Sequence, residues 1–378
     1  MRRVKLGQIC EVVSGGTPKT NVEEYWNGEF NWITPAEIND NDYIISDTKR
    51  KITQLAIEKK KLPLLPKGTV LLSSRAPIGK VAITGKEMYC NQGFKNLICS
   101  DEICNEYLYW YLKSKKEYLN SLGRGATFKE ISKKIVENIE IKLPEIERQR
   151  KIVDKLKKVD KIIQRRKNQS RLLDVVVQAR FVEMFGDPII NNMSWPESTI
   201  GDGCFVTKLA GFEYSKYIEY DDTGDVVMVK AQNVKNGTLN RKDLSFISNE
   251  VSDALPRSQL LPGDVVMTYV GANIGDVALI DDKYKYHLAP NVAKIRVDAK
   301  IYNSVYFMYM LMFLNSYIVK NSADTAKAAL GMERIRKLKV FIPTYDLQNQ
   351  FAAFVQQVNK SKFVIHKFLF APPTTHRV

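Results

Sequence analysis

The sequence contains one strand–loop–strand passage twice. The first occurrence reads GTVLLSSRAPIGKVAITGKE from Gly68, and the second reads GDVVMTYVGANIGDVALIDD from Gly263. Residues in the flanking strands are similar, whereas residues in the loop differ. A period of roughly 195 residues is too long for a solenoid and indicates two copies of one domain.

Further matches extend this repeat along the chain. The anchors common to both copies are Ile78, Gly79, Pro144 and Gln149 in the first, answered by Ile274, Gly275, Pro343 and Gln348 in the second. Each copy combines short strand signals broken by Gly and Pro with a helix, at about 104–121 and about 303–320. Each copy then closes on a short strand that ends in proline.

A helical segment with apolar residues at heptad spacing follows each closing proline. The first is about 40 residues long, which corresponds to a rod of about 60 Å, and Gly186 and Pro188 end it. The pairing positions predicted from the spacing are Ile152, Leu156, Val159, Ile163, Leu173 and Val177, and then Phe351, Val355, Val358 and Ile365. A helix of this length with a narrow apolar stripe favours pairing with another helix. Packing of each helix on its own domain is the alternative.

The sequence therefore predicts an α+β protein with two tandem copies of one domain, each followed by a long helix. We expect the two helices to pair as an antiparallel coiled coil. The predicted division is 1–144, first domain; 145–189, first helix; 190–343, second domain; and 344–378, a shortened second helix and its tail. Prolines after Ala371 cannot continue a helix.

Charge and composition favour an anionic partner and argue against a membrane or secreted protein. The formal net charge is +15, and the isoelectric point is about 9.3, a balance that suits nucleic acid. No apolar run approaches the ~18 residues of a membrane span. The N-terminal segment lacks the apolar core of a secretory signal. The five cysteines have neither metal-type spacing nor an even count, so we expect a cytoplasmic protein without a metal site.

Motifs of common catalytic sites are absent from the sequence. Neither GxxxxGK[ST] nor GxGxxG occurs, and the three histidines are scattered. The Asn/Asp-Pro-Pro-aromatic motif expected of an amino-methyltransferase acting on bases is also missing. These absences predict a non-catalytic protein. A nuclease or methyltransferase with a cryptic site, and a coiled-coil assembly adaptor with incidental basic charge, remain open as alternatives.

Polar loop residues that differ between the copies are the candidates for reading DNA. Arg and Lys can bind guanine O6 and N7, and Asn and Gln can bind adenine N6 and N7, while other basic side chains hold phosphates. Ordinary solvated loop residues are the alternative reading of each one. The candidates are Thr17, Lys19, Thr20, Ser73, Ser74, Arg75, Lys80, Asn91, Gln92, Lys95, Arg124 and Thr127 in the first copy, and Lys208, Tyr214, Lys230, Gln232, Asn233, Thr268, Tyr269, Asn273, Asn291 and Lys294 in the second.

Five passages together resemble a known family. They are SGGTPKTNVEEYWNGEFNWITPAEI, LPKGTVLLSSRAPIGKVAI, NQGFKNL, GRGATFKEISKKIVENIEIKLPEIERQRKIV and RFVEMFGDP. In this order, with a diverged second copy and two heptad helices, the chain resembles the specificity subunit of type I restriction–modification systems over essentially its full length. It departs from that pattern in the shortened second helix and in a second copy without the SGGTP and NQGFKNL wording.

The resemblance implies a function and a set of partners. It implies two target-recognition domains that each read one part of a split, asymmetric double-stranded DNA target, with the helices setting the unread spacer. The subunit itself would bind no cofactor and catalyse nothing. Two modification subunits would dock on it and use S-adenosylmethionine to methylate adenine N6 within the target. Restriction subunits, where present, would add ATP-driven translocation and cleavage.

Overall fold

A computed structural model describes residues 2–125, 129–322 and 329–370 of the chain. The chain divides into two compact units, residues 1–164 and 165–378. The helix that follows the first copy of the repeat contributes to both units. The predicted tail after Phe370 lies outside the described residues.

The first unit combines short strands with five short helices and the start of a long one. Its strands are β1 (Arg2–Lys5), β2 (Cys10–Ser14), β3 (Trp26–Ile33), β4 (Ile44–Ile45), β5 (Arg50–Ile52), β6 (Val70–Leu72), β7 (Val81–Thr84), β8 (Tyr89–Cys90), β9 (Lys95–Cys99) and β10 (Glu140–Leu143). Its helices are α1 (Leu6–Ile9), α2 (Gln54–Lys60), α3 (Asn105–Ser114), α4 (Lys116–Ser121), α5 (Lys133–Glu137) and α6 (Ile146–Phe185), with 3₁₀ turns at Glu23–Tyr25 and Pro35–Glu37.

Two sheets and a strand pair build the first unit. The larger sheet has the order β2-β9-β6-β7-β4, the smaller has the order β5-β3-β8, and β1 pairs with β10. Strand β3 runs parallel to β8 and antiparallel to β5. Apolar residues of β6 and β9, such as Val70 and Leu97, are fully buried in one core with Leu108 and Leu112 of α3. The helix therefore covers one face of the larger sheet.

The second unit has the same kinds of element. Its strands are β11 (Glu197–Thr199), β12 (Cys204–Lys208), β13 (Val226–Val229), β14 (Val234–Lys235), β15 (Thr238–Leu239), β16 (Phe246–Ile247), β17 (Gln259–Leu260), β18 (Val265–Thr268), β19 (Val277–Leu279), β20 (Lys285–Leu288), β21 (Val292–Val297) and β22 (Lys339–Phe341). Its further helices are α7 (Ile200–Gly203), α8 (Gly211–Tyr217), α9 (Asn249–Ala254), α10 (Ser304–Ser322), α11 (Met332–Arg336) and α12 (Tyr345–Phe370), with 3₁₀ turns at Ala231–Asn233 and Pro256–Ser258.

Strand order confirms the internal duplication. The order β12-β21-β18-β19 repeats β2-β9-β6-β7, and β16-β13-β20 repeats β5-β3-β8, including its parallel pair. The pair β11–β22 likewise repeats β1–β10. The α+β fold predicted from the sequence is therefore present twice.

Strand register establishes which residues of β9 and β21 correspond between the two copies. Val70 lies opposite Leu97 in the first copy, and Val265 lies opposite Ile295 in the second. This register makes Lys294 the counterpart of Asn96 and not of Lys95. The counterpart of Lys95 is Ala293, since these residues lie opposite Ser14 and Lys208 in the matching ladders.

A buried glutamine ties each copy to the helix that follows it. Gln149 accepts a hydrogen bond from the Cys104 amide at 2.8 Å and donates to the carbonyls of Glu102 and Pro144, both at 2.9 Å. Gln348 makes the equivalent bonds to the Asn303 amide and to the carbonyls of Ile301 and Pro343. Both side chains are fully buried. The two glutamines shared by the sequence copies therefore satisfy the same three backbone groups in each.

The structure confirms both predicted long helices. Helix α6 spans 40 residues without Gly or Pro, and it ends before Gly186, whose φ of +77° lies in the left-handed region that glycine adopts readily. Helix α12 spans 26 residues. Within the second unit, Asp174 of α6 pairs with Lys362 of α12. Phe181 follows Asp174 in α6, and its ring centre lies 5.4 Å from that of Phe351, which precedes Lys362 in α12. These parts of the two helices therefore run antiparallel.

Burial divides the predicted pairing positions into two groups. In the second unit, residues of α6 and α12 share one core, and the buried positions are Val177, Phe351, Val355, Val358 and Ile365, with Leu173 partly buried. In the first unit, Ile152, Leu156 and Ile163 are partly buried, and Leu156 lies beside Tyr107 and Trp110 of α3. Packing on its own domain therefore applies to the first part of α6.

Val159 corrects the predicted stripe, because its side chain is 52% exposed. Among the apolar residues in the first part of α6, Val153 is the most deeply buried, at 2% exposure. A strict heptad reading missed this shift, since the first part of α6 packs on a globular domain with a broader apolar face. A coiled coil along the full length of both helices remains a prediction.

No helix in the described ranges is both long enough and apolar enough to cross a membrane.

Candidate nucleic-acid interface

Four segments of the first copy meet at the end of its larger sheet. The loop after β6 contributes Ser74, whose amide donates to the Gly93 carbonyl at 2.7 Å and whose carbonyl accepts from the Ile131 amide at 2.9 Å. The Asn91 amide donates to the Ile33 carbonyl at 2.8 Å, which adds the end of β3. We call the surface formed by Arg75, Asn91, Gln92, Arg124 and Glu130 the first face.

Arg75 and Glu130 form the charged centre of the first face. Their backbones make an antiparallel bridge, and Arg75 Nε donates to Glu130 Oε2 at 2.9 Å. Lys95 Nζ donates to the other carboxylate oxygen at 3.2 Å. Burial raises the pKa of Glu130, but hydrogen bonds from Arg75 and Lys95 outweigh it and hold that pKa below its usual value. The carboxylate is therefore ionised at neutral pH.

Asparagine and threonine side chains fix the neighbouring segment. Asn91 Nδ2 donates to Thr17 Oγ1 at 2.9 Å, and Asn91 Oδ1 accepts from the Gly93 amide at 2.7 Å. Gln92 is exposed, as are Lys19 and Thr20, which follow Thr17 in the chain. The structure thus brings the segment after β2 close to the segment before β9, although the sequence separates them by about seventy residues.

Three residues of the first copy that were candidates for DNA contact are buried within the domain instead. Ser73 is fully buried and braces its own loop, since its Oγ donates to the Pro77 carbonyl and accepts from the Lys80 amide, both at 2.8 Å. Ser74 is fully buried, and the side chain of Lys95 is 9% exposed. Their burial removes these three side chains from the candidates for direct DNA contact.

The three remaining candidates of the first copy are Lys80, Thr127 and Arg124. Lys80 Nζ donates to the Pro35 carbonyl at 3.0 Å, so this partly buried lysine links the loop after β6 to the turn after β3. Thr127 lies outside the described residues. Arg124 is exposed, and its backbone pairs with that of Glu130 through two hydrogen bonds of 3.0 Å.

The second copy assembles the equivalent segments with different side chains. The Tyr269 amide donates to the Asn291 carbonyl at 3.0 Å, and the Tyr269 carbonyl accepts from the Leu330 amide at 2.8 Å. Lys208 Nζ lies 5.5 Å from the centre of the Tyr269 ring, a cation–π distance. We call the surface formed by Lys208, Tyr269, Asn273 and Asn291 the second face.

Lys230 begins the turn after β13 and lies beside Tyr220, which precedes that strand in the chain. Lys230 Nζ donates to Ser245 Oγ at 2.6 Å and lies 5.2 Å from the Tyr220 ring. The Tyr214 and Tyr220 rings are 6.0 Å apart. The Ala289 amide donates to the Val229 carbonyl at 3.2 Å, which matches the bond between Asn91 and Ile33 in the first copy. The turn that begins at Lys230 therefore occupies the place of the turn after β3.

Three predicted contacts of the second copy are buried and hold the framework. Thr268 is fully buried; Asn233 is 2% exposed and donates to the carbonyls of Asn240 and Lys242. Lys294 is 2% exposed, and its Nζ donates to the carbonyls of Arg257 and Gln259 at 2.6 and 2.8 Å. Burial lowers the pKa of Lys294 to about 8. These residues are removed from the candidates for direct contact, while Gln232 remains exposed and bonds to the Asp243 carbonyl.

Sequence reasoning missed Glu130 and Tyr220. Neither residue is a cation or an amide, the side-chain types that bind bases and phosphates and that the sequence indicates as candidates. A carboxylate on a basic surface is detectable only through its partners, and Arg75 lies 55 positions away in the chain. The sequence around Tyr220 shows only acidic neighbours, Glu219 and Asp221, which do not indicate a DNA contact.

Metal-ligand clusters and cysteine thiols are two groups with catalytic potential. No group of three or more His, Cys, Asp and Glu side chains there could hold a metal ion. The five cysteines are unpaired. Burial raises the pKa values of the Cys90 and Cys204 thiols to about 12, so neither is a thiolate nucleophile at neutral pH. The two faces can bind and position a polar ligand.

Comparison with known proteins gives the same family throughout. Residues 1–170 and 192–368 match the family described as the type I restriction modification DNA specificity domain. The chain is similar to the type I restriction enzyme MjaIX specificity subunit of Methanocaldococcus jannaschii, with 30% identity covering 93% of this chain and 85% of the relative. The MjaVIII specificity subunit of the same organism is 23% identical, covering 94% and 85%.

Solved structures share the fold. An S subunit of a type I restriction–modification system from M. genitalium covers 97% of this chain and 91% of its own, with 15% identity and a TM-score of 0.52. A chain from a type I R-M system, solved to explain complex assembly and conformational transition, covers 97% and 93%, with 17% identity and a TM-score of 0.59.

These comparisons give no support to a nuclease, a methyltransferase or a simple assembly adaptor. Two matched segments coincide with the two copies of the repeat, and the relatives match across both. The chain belongs to the type I restriction–modification DNA specificity family and is a non-catalytic subunit that recognises DNA targets for a modification and restriction complex.

Proposed function

We propose that each copy of the repeat reads one part of a bipartite, asymmetric duplex target. The first face would read one part and the second face the other. The observation that carries this proposal is the contrast between framework and surface. The same backbone hydrogen bonds join Ser74 to Ile131 and Tyr269 to Leu330, while the accessible residues that follow Ser74 and Tyr269, which are Arg75 and Val270, differ in charge and shape.

The candidates that are exposed or partly buried divide by the contacts that their chemistry allows. Arg75, Asn91, Gln92 and Asn291 have the donors and acceptors that discriminate bases in the major groove. The remaining candidates that are exposed or partly buried would hold phosphates or sugars and set the register. They are Thr17, Lys19, Thr20, Lys80, Arg124, Lys208, Tyr214, Lys230, Gln232, Tyr269 and Asn273. Thr127, which lies outside the described residues, remains a candidate for DNA contact on the basis of its sequence position.

The helices would set the distance between the two parts of the target and provide a docking surface for partners. Helix α6 presents half-exposed apolar side chains at Leu172, Val175 and Val176, and α12 presents Phe363 and Val364. Solvent-exposed apolar stripes of this kind favour protein partners. The division into domains at 1–144 and 190–343, with helices at 145–189 and 344–378, belongs to this proposal.

The partners would supply the chemistry. Two modification subunits would bind S-adenosylmethionine and transfer its methyl group to adenine N6 within the target, and restriction subunits would join where the system contains them. The chain itself would hold no cofactor. This division of work places the protein in the cytoplasm, where duplex DNA and these partners meet.

Methyl transfer by the purified chain, alone and with its cognate modification subunit, tests the proposal. Genomic DNA from a methylation-deficient host is the substrate, and sequencing locates the N6-methyladenine. We expect methylation only with both proteins present, at one motif with two specified parts and a fixed gap. Methylation at a motif without a gap, or by the chain alone, would overturn the proposal.

A further inference from the structure

The first face contains an arginine whose orientation is fixed by a carboxylate. Glu130 is anchored through its backbone by two hydrogen bonds to Arg124. One carboxylate oxygen accepts from Arg75 Nε and the other from Lys95 Nζ. The side chains of Arg75 and Glu130 are 48% and 32% exposed, whereas that of Lys95 is 9% exposed. The buried Lys95 therefore fixes the carboxylate of Glu130, and this carboxylate in turn fixes the exposed Arg75.

This arrangement leaves one edge of the guanidinium for a ligand. Among the described residues, Arg75 uses only Nε for a side-chain hydrogen bond. The two terminal nitrogens present a planar pair of donors, the geometry that matches two acceptors side by side. Guanine offers such a pair, O6 and N7, in the major groove, whereas adenine places a donor at the corresponding position.

The second copy shows that the framework does not require these charges. The bridge between Arg75 and Glu130 recurs as a bridge between Val270 and Ala329. The counterpart of Lys95 is Ala293. All three charged residues are thus replaced together by apolar ones, while the surrounding backbone bonds persist. The two accessible charges, Arg75 and Glu130, and the buried Lys95 beneath them therefore serve a task specific to the first copy.

We propose that Glu130 is a positioning residue that orients Arg75 to read a guanine in the part of the target bound by the first copy. The proposal rests on the proposed function. Glu130 touches no base itself; it restricts the rotamers of Arg75 and draws the guanidinium away from neighbouring phosphates. Lys95 in turn keeps Glu130 in place. The second copy has no such reader at Val270.

Base analogues test the role of Glu130. The chain is assembled with its cognate modification subunits, and its affinity is measured for duplexes in which 7-deazaguanine, which lacks N7, replaces each guanine of the methylated motif in turn. We expect the wild-type complex to lose roughly 10-fold in affinity at one guanine. In Glu130→Gln that loss falls below about 3-fold, while losses at guanines in the other part of the motif persist.

Two further variants make the result specific. Replacing Arg75→Val and Glu130→Ala together, the residues of the second copy, is expected to abolish the same single loss. Glu137→Gln removes a surface carboxylate that pairs with Lys133 and is expected to change none. Losses that persist in the other part of the motif demonstrate a folded complex.

The outcomes separate this inference from the proposed function. A motif without guanine, or a Glu130→Gln complex that retains every loss of the wild type, would overturn the role of Glu130 and leave bipartite reading intact. Absence of any sequence preference in the wild-type complex would overturn both.

Discussion

Burial separates the polar residues predicted to contact DNA into two groups with different tasks. Exposed residues such as Arg75 and Asn291 differ between the copies and are positioned to meet a ligand. Buried residues such as Ser73 and Lys294 satisfy backbone groups. A polar side chain that leaves buried partners unpaired costs stability, so substitutions at these two kinds of position have different consequences.

Ser73 provides a test of the structural group. Ser73→Ala removes a buried hydroxyl that bonds to the Pro77 carbonyl and the Lys80 amide, and we expect the free energy of unfolding to fall by about 1–3 kcal/mol. Urea denaturation measures this change. The exposed Thr20→Ala is the control, with an expected change within about 0.5 kcal/mol. A methylated motif altered by Ser73→Ala at full stability would contradict a structural role.

Lys294 makes stability depend on pH. Its pKa is lowered to about 8 in the folded state, against about 10.4 in an unfolded chain. Between these values the unfolded chain binds more protons, so the contribution of Lys294 to the unfolding free energy rises with pH. Denaturation of the wild type and of Lys294→Met at pH 7.5 and 9.5 isolates this contribution as a difference. A difference between the proteins that stays constant with pH would contradict the assignment.

The sequence predicts which segments form the faces better than which side chains face outward. Loop differences between the copies indicated Arg75, Tyr269 and Asn291, which are accessible in the structure. Burial of Ser74 and Lys294 depends on neighbours from distant segments, and no local pattern records them. Glu130 lies 55 residues after Arg75, so their ion pair exists only once the loop after β6 meets the segment before Ile131.

At the scale of elements, the junction between domain and helix is the most closely repeated feature. Gln149 and Gln348 each bond to one amide and two carbonyls. A leucine at either position would leave three backbone groups without these bonds in a buried place. The repeat therefore predicts similar consequences in both copies.

Paired substitutions test this junction. We expect Gln149→Leu and Gln348→Leu each to lower the free energy of unfolding by at least about 2 kcal/mol, since several buried groups lose a partner. Thermal and urea denaturation measure the loss, and Gln356→Leu, at an exposed position of α12, is the control. A large loss in one copy and none in the other would show that the junctions are not equivalent.

Aromatic packing anchors the second part of α6 within the second unit. The Phe181 ring stacks on Phe313 at 4.6 Å and on Tyr306 at 5.8 Å. We expect Phe181→Ala to cost about 3–5 kcal/mol of unfolding free energy, measured by chemical denaturation. Its neighbour Val182 is 44% exposed, so Val182→Ala should change stability by less than about 1 kcal/mol. Equal effects of the two substitutions would contradict the packing.

The existence and length of the long helices followed from the sequence, whereas their partners followed only in part. Absence of Gly and Pro and the stop at Gly186 fix the extent of α6. The heptad stripe predicted pairing for Val159, yet that residue is half exposed, because the first part of α6 packs on α3. Periodicity identifies an apolar face but not the surface that covers it.

At the scale of the whole chain, duplication provides two similar frameworks with independent surfaces. Charge pairs present on the first face, such as Arg75 with Glu130, are replaced by Val270 and Ala329 on the second. One chain can therefore read two unlike sequences without symmetry in its target. Bipartite recognition by one asymmetric chain follows from this arrangement in the proposed function.

Methylome sequencing of two single variants tests whether the two copies read separate parts of the target. The wild-type chain, Arg75→Ala and Tyr269→Ala are each co-expressed with the cognate modification subunit in a methylation-deficient host. We predict that Arg75→Ala relaxes one part of the methylated motif and that Tyr269→Ala relaxes the other, with the gap unchanged. Relaxation of the same part by both variants, or uniform weakening of methylation at an unchanged motif, would contradict separate reading by the two copies.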